Sequence, residues 1–152
     1  MPTFTWWIDE PQLKGSANPT DEDLAELRVQ GFATALSLLE EDEQPARYDK
    51  ASARGAGWSI DSIPVEEGLA PSLDQIREFT NRLRAMPLGT KVLLFCESGL
   101  GRTSCMGAAY WIAKGLSSSD AIARISQACR ATEWATQERQ RVLTEYELSM
   151  KG

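Results

Sequence analysis

Short apolar runs alternate along the chain with apolar positions at helical spacing. Trp6-Trp7-Ile8 and Gln12-Leu13-Lys14 read as short strands. Asn18-Pro19-Thr20 reads as a turn, with Thr20 placed to cap a helix through its side-chain oxygen. Asp21, Glu22 and Asp23 follow where the positive end of a helix dipole favours carboxylates. Leu24, Leu27 and Phe32 supply the apolar side of that helix, and Gly31 lies near its end. Residues 33–39 predict a buried strand, the polar stretch 40–57 a surface loop, and 58–63 another strand.

Ser72 with Gln75 matches a capping box, in which each residue's side chain accepts from the other's backbone N–H. Ile76, Phe79, Leu83 and Met86 recur at helical spacing, and Pro87 and Gly89 end that helix. Residues 91–95 form a short apolar run, expected to be a central parallel strand. A helix is expected over 103–114 with Gly115 as its stop. Another starts at Ser119-Asp120 with Ile122 and Ile125 on one side, and a last one covers 135–148 with Val142, Leu143 and Tyr146. Strands alternating with helices predict a single α/β domain over 1–152, with a largely parallel twisted sheet of about four to five strands flanked by helices.

Composition narrows the chemistry. The 152 residues are 42% hydrophobic and 25% charged, as in ordinary globular proteins. A formal net charge of −6 argues against nucleic-acid binding and against docking on an anionic membrane. No apolar run approaches the roughly 20 residues of a membrane span. The first residues lack the basic-then-apolar order of a signal peptide, so the expected location is the cytoplasm. Three cysteines, Cys96, Cys105 and Cys129, are too few and too scattered for a disulfide framework, which agrees with a reducing compartment. There is no C-x-x-C pair and no histidine. Ser-His-Asp and Cys-His catalysis and HExxH zinc hydrolysis are therefore excluded, and any nucleophile must be activated in another way.

Residues 92–102 supply that way. They read as strand, glycine-containing loop and helix start, ending in Cys96-Glu97-Ser98-Gly99-Leu100-Gly101-Arg102. Such a loop turns successive backbone N–H groups inward and makes an anion cradle at a helix N-terminus. Gly99 and Gly101 permit the backbone angles required. Arg102 adds a planar fork for two phosphate oxygens. Cys96, at the floor of the cradle, faces the same dipoles, which favour thiolate over thiol without any histidine.

Cys-x5-Arg followed by Thr103 resembles the signature of the cysteine-based protein tyrosine phosphatase superfamily. The stretch Ile63-Pro64-Val65-Glu66-Glu67-Gly68-Leu69-Ala70-Pro71-Ser72 is similar to the acid-loop region of the small, atypical dual-specificity phosphatases. Leu13-Lys14-Gly15-Ser16 with Asn18-Pro19 resembles their N-terminal segment, and Glu133-Trp134-Ala135-Thr136-Gln137 the start of their last helix. The resemblance implies that Cys96 attacks phosphorus and forms a phosphocysteine. Backbone N–H groups of Glu97, Ser98, Gly99, Leu100, Gly101 and Arg102, with the Arg102 side chain, would bind the phosphate oxygens. The Thr103 hydroxyl would stabilise the departing thiolate, and a loop carboxyl would protonate the leaving group.

Two positions depart from that pattern. Phe95 stands where the family has a histidine that orients the loop, which implies activity reduced or shifted in pH. Glu67 stands where the family's acid is an aspartate, so Glu67 is the first candidate, followed by Asp61 and then Glu66. An enzyme lacking an effective acid would still cleave aryl phosphates, whose leaving groups need little protonation.

The expected substrates are phosphotyrosine, with or without phosphoserine and phosphothreonine, in proteins or small phosphomonoesters. Glu97 and the acidic domain disfavour inositol lipids and polyphosphates. Phosphate, sulfate or vanadate should fill the loop, with no cofactor or metal required and a monomer expected. The alternatives are a catalytically weak phosphate- or phosphoprotein-binding module and, ranked last, a sulfurtransferase or arsenate reductase. Cys105 and Cys129 read as packing residues, Glu40-Glu41-Asp42-Glu43 as a solvated loop, and Trp6, Trp7, Trp58 and Trp134 as core or pocket wall.

Overall fold

The computed structural model describes residues 3–43 and 47–151. Five strands form one sheet: β1 (Thr5–Asp9), β2 (Leu13–Ser16), β3 (Thr34–Ser37), β4 (Ser59–Ser62) and β5 (Val92–Phe95), in the order β1-β2-β5-β3-β4. Only β1 runs antiparallel, against β2; the β2–β5, β5–β3 and β3–β4 pairs are parallel. The fully apolar β5 takes the centre, as expected for a strand buried on both faces. Parallel neighbours also bring the C-terminal ends of β2, β3, β4 and β5 to one edge of the sheet. That is where open α/β sheets bind ligands.

The helices are α1 (Asp21–Val29), α2 (Lys50–Gly55), α3 (Leu73–Ala85), α4 (Gly101–Ala113), α5 (Ser118–Cys129) and α6 (Gln137–Lys151). Thr20 and Ser72 cap α1 and α3 in complete capping boxes, so both helices start where the sequence places them. Helix α4 carries only small or apolar residues beyond its first turn and is packed against α3, α5 and α6. Its start at Gly101, ahead of the expected Thr103, brings Arg102 into the first helical turn.

The stretch 40–57 departs from the expected surface loop. Its described residues contain a short 3-10 turn, Glu41–Glu43, and helix α2, capped by the Asp49 carboxylate. Tyr48 and Ala53 are buried, with the Tyr48 ring edge-on to Phe95 at 6.0 Å between centroids. Two apolar anchors in a polar segment are too few to register as a period, yet they suffice to pin it to the sheet. Among the described residues no helix is long and apolar enough to cross a membrane.

Candidate active site

The cradle forms where β5 gives way to α4. Cys96 is 1% exposed, and its N–H donates to the Ser16 carbonyl (3.3 Å), tying the floor of the site to the end of β2. The Thr103 hydroxyl donates to Cys96 Sγ at 3.0 Å. Thr103 is fully buried, so this contact is shielded from water.

The loop carbonyls are turned away from the interior by named partners. Asn18 N–H takes the Glu97 carbonyl (3.1 Å), the Trp6 indole Nε1–H takes the Gly99 carbonyl (2.9 Å), and Ser104 N–H takes the Leu100 carbonyl. Within a trans peptide C=O and N–H point oppositely, so fixing the carbonyls outward aims the N–H groups inward. The Leu100 N–H donates to Ser98 Oγ (3.2 Å). The N–H groups of Glu97, Ser98, Gly99, Gly101 and Arg102 have no protein acceptor among the described residues. Gly99 makes this geometry possible, with φ +79° and its Cα against the backbone of Ser16 and Ala17. Trp6, Asn18 and Ser16 are thus the outer wall of the cradle.

Arg102 is 3% exposed, and its guanidinium is held on two sides. Nη1 and Nη2 donate to the two carboxylate oxygens of Glu43 at 2.8 and 3.0 Å, and Nη1 also donates to the Val65 carbonyl at 2.8 Å. These three bonds leave Nε–H and the second N–H of Nη2, which form one edge of the fork. That edge has no protein partner among the described residues and matches two oxygens of a phosphate. Burial opposes the Arg102 charge, but Glu43, Cys96 and Glu67 together outweigh it, and its pKa lies above the ordinary arginine value. The Glu43 carboxyl is held below the usual carboxylate range, chiefly by the hydrogen bonds from Arg102.

Glu43 corrects the expectation that the acidic run 40–43 is only a solvated loop. Its side chain is 17% exposed and is the counter-ion of the cradle arginine. Nothing in the local sequence separates it from its acidic neighbours. Its position beyond β3, on the same sheet edge as the cradle, is what selects it.

The residues expected to supply a proton sit differently from one another. Val65 anchors their loop, its N–H on the Leu38 carbonyl (3.0 Å) and its carbonyl on Arg102. The chain then turns through Glu66–Leu69, closed by Leu69 N–H on the Glu66 carbonyl (3.1 Å), with Gly68 at φ +84°. Glu66 and Glu67 are exposed on this turn, and the charge of Glu67 reaches Arg102. Asp61 lies on β4 and is engaged by Arg82 of α3 at 3.1 Å. Glu97 accepts from Asn18 Nδ2 (3.2 Å) and pairs with Arg47 (3.4 Å), which partly neutralises its charge at the rim. Phe95 is fully buried with its ring against Tyr48, and its carbonyl accepts from Leu38 N–H.

The remaining candidates take packing roles. Cys105 is fully buried, and burial pushes its thiol up to about 12. Cys129 accepts from Ser104 Oγ. Trp58 and Trp134 are core residues whose indole N–H groups reach the Leu24 carbonyl and Ser126 Oγ. Among the described residues no cluster of histidine, cysteine or carboxylate side chains is arranged to hold a metal ion.

Comparison with known proteins agrees with this geometry. A family model described as "DSP-PTPase phosphatase fused to NAD+ Kinase" matches residues 9–143. The active form of Tk-PTP is 30% identical and superposes with a TM-score of 0.80 over 95% of this chain and 96% of that one. PTPMT1 in complex with PI(5)P shares the fold at 20% identity, with a TM-score of 0.85 over 97% and 96% of the two chains. The tyrosine-protein phosphatase CDC14 homologue of Schizosaccharomyces pombe is 31% identical over 67 residues, which are 44% of this chain but only 12% of that larger protein. The chain belongs to the cysteine-dependent tyrosine and dual-specificity phosphatases, within the family described as a DSP-PTPase phosphatase fused to NAD+ kinase.

Proposed function

We propose that the protein hydrolyses phosphomonoesters, with phosphotyrosine as the preferred group and phosphoserine and phosphothreonine as further substrates, through a phosphocysteine on Cys96. The observation that carries this is that the single loop 96–102 holds a buried cysteine sulfur, five N–H groups with no protein acceptor among the described residues, and the open edge of Arg102. The phosphoryl dianion enters the cradle, and its oxygens accept from the loop N–H groups and from Nε and Nη2 of Arg102. Cys96 Sγ forms the S–P bond as the P–O bond to the leaving group breaks. Glu67 gives its proton to the departing oxygen, then removes one from the water that attacks the phosphocysteine. The Thr103 hydroxyl, 3.0 Å from Sγ, stabilises the thiolate released in that second step.

Glu97 on the rim and the overall charge of −6 favour a single phosphoryl group over an inositol polyphosphate or lipid headgroup. PI(5)P, bound by PTPMT1, is therefore not the substrate class favoured here. Phosphate, sulfate and vanadate are the expected inhibitors, and the three unbridged cysteines suit the cytoplasm. A second reading, a phosphate-binding module with little turnover, is favoured by Phe95 in place of a loop-orienting histidine. Hydrolysis of p-nitrophenyl phosphate and of a phosphotyrosine peptide, by wild type and Cys96→Ser, separates the two. Turnover that vanishes in Cys96→Ser while phosphate still binds is the expected result. Binding without Cys96-dependent turnover between about pH 5 and 8 establishes the second reading instead.

A further inference from the structure

Arg139, near the start of α6, is a buried cation without a counter-ion among the described residues. It is 6% exposed, and among the described residues no carboxylate pairs with it. Nη1 donates to the Trp134 carbonyl (3.0 Å), Nη2 to the Leu69 carbonyl (3.5 Å), and Nε is buried with no partner. A charge buried this way is expensive unless its position serves something.

Its position is specific. The guanidinium lies against Gly101, where a Cβ would stand 2.8 Å from Nη2 and 3.1 Å from Nη1. It therefore touches the cradle one residue before Arg102 and reaches the far end of the turn that bears Glu67. The near end of that turn is the Val65 carbonyl, held by Arg102. Two arginines from two helices thus hold the two carbonyls that bracket Glu66, Glu67 and Gly68. Trp134 is fixed in turn by Ser126, so the support beneath Arg139 is itself anchored.

We propose that Arg139 is a positioning residue that sets the distance of the acid-bearing turn from the cradle, and with it the efficiency of leaving-group protonation. This rests on the reading of Glu67 as general acid. The Arg102 clamp is fixed by the phosphate site, so Arg139 governs the remaining freedom of the turn.

The test compares p-nitrophenyl phosphate, whose leaving group needs little protonation, with phenyl phosphate, which resembles phosphotyrosine. In Arg139→Met the ratio of their kcat/KM values should widen by about tenfold, with the loss mainly in phenyl phosphate turnover. Arg139→Lys, able to reach one carbonyl only, should fall between Met and wild type. Adding Glu67→Gln to Arg139→Met should widen the ratio no further than Glu67→Gln alone. Thermal unfolding checks that each variant is folded, and Arg139→Lys carries the test if the methionine variant is not. An equal loss on both substrates with weaker vanadate inhibition overturns the proposal and makes Arg139 a support of the cradle charge. An unchanged ratio in a folded variant overturns it as well. If Glu67→Gln itself has no leaving-group dependence, the acid assignment has failed instead, and the two failures are thereby distinguished.

Discussion

The cradle and the acid turn each bend at a glycine in the left-handed region, and there the likeness ends. A Cβ on Gly99 would stand 2.6 Å from the Ala17 amide nitrogen and 2.7 Å from the Ser16 carbonyl carbon. A Cβ on Gly68 would meet nothing within 4 Å. The cradle is enclosed by β1, β2 and α4, and its carbonyls are fixed by Trp6 and Asn18. The acid turn stands in solvent, fastened mainly at its two ends. The difference follows the chemistry. Donors that receive developing negative charge are most effective when already fixed, because nothing then has to reorganise during reaction. A proton donor above the leaving group must let substrate in and product out.

Exchanging the two glycines for alanine tests this contrast most severely. Gly99→Ala combines left-handed strain of about 1–2 kcal/mol with overlap against backbone atoms that cannot rotate away. The loss of stability should be about 2–4 kcal/mol, read as a fall in Tm of about 5–15 °C. Activity should fall by at least about a hundredfold, because displaced N–H groups no longer meet the phosphate oxygens. Gly68→Ala carries the strain alone, about 1 kcal/mol, and should keep most of its p-nitrophenyl phosphate turnover. Equal effects at the two positions would show that the cradle is no more rigid than the turn.

Glu67→Gln sharpens the comparison from the side of the turn. Phenyl phosphate hydrolysis should drop by about a hundredfold, and p-nitrophenyl phosphate hydrolysis by only a few fold. Asp61→Asn should leave both rates unchanged. It removes an exposed pair with Arg82 whose contribution to stability is about 0–1 kcal/mol. If Asp61→Asn shows the leaving-group dependence and Glu67→Gln does not, the proton comes from β4 and the turn has no catalytic part.

The same contrast governs what could be read from sequence. The cradle was legible because its requirements are local. Cys96, Gly99, Gly101 and Arg102 must stand at fixed spacing on one loop, and an apolar strand must precede it. The order of strands and helices was legible for the same reason, since capping residues such as Thr20 and Ser72 act within their own turn. What lay beyond local reach was the second layer of the site. Trp6 contacts Gly99 across 93 positions, Glu43 contacts Arg102 across 59, and Arg139 contacts Leu69 across 70. None of these pairs leaves a period or a motif. Each joins elements far apart in the chain, a strand or helix to a loop, and exists only once those elements have packed together. The same limit explains the misreading of 40–57, where two buried residues, Tyr48 and Ala53, fix a segment whose composition is that of a loop.

Glu43 offers the one test among these with a pH signature. In Glu43→Gln one amide N–H faces a guanidinium N–H, so Arg102 loses part of its alignment while keeping the Val65 carbonyl. A fall in kcat/KM of about tenfold is expected for p-nitrophenyl phosphate and phenyl phosphate alike, because the phosphate is held before either leaving group matters. The stability loss should be about 1–3 kcal/mol near neutral pH, as for a hydrogen bond between charged groups. Its sign with pH follows from the direction of the shift. Glu43 in the folded protein titrates below the ordinary carboxylate range, chiefly because of Arg102, so its contribution is complete above that range and disappears as pH falls through the folded value. Wild type and Glu43→Gln should therefore converge in stability as the pH is lowered from about 7 toward about 3, as measured by urea unfolding. A difference that stays constant over that interval would mean that Glu43 acts on Arg102 through shape alone. The rigidity of the cradle would then rest on Val65 and the backbone, with no part left for the ion pair.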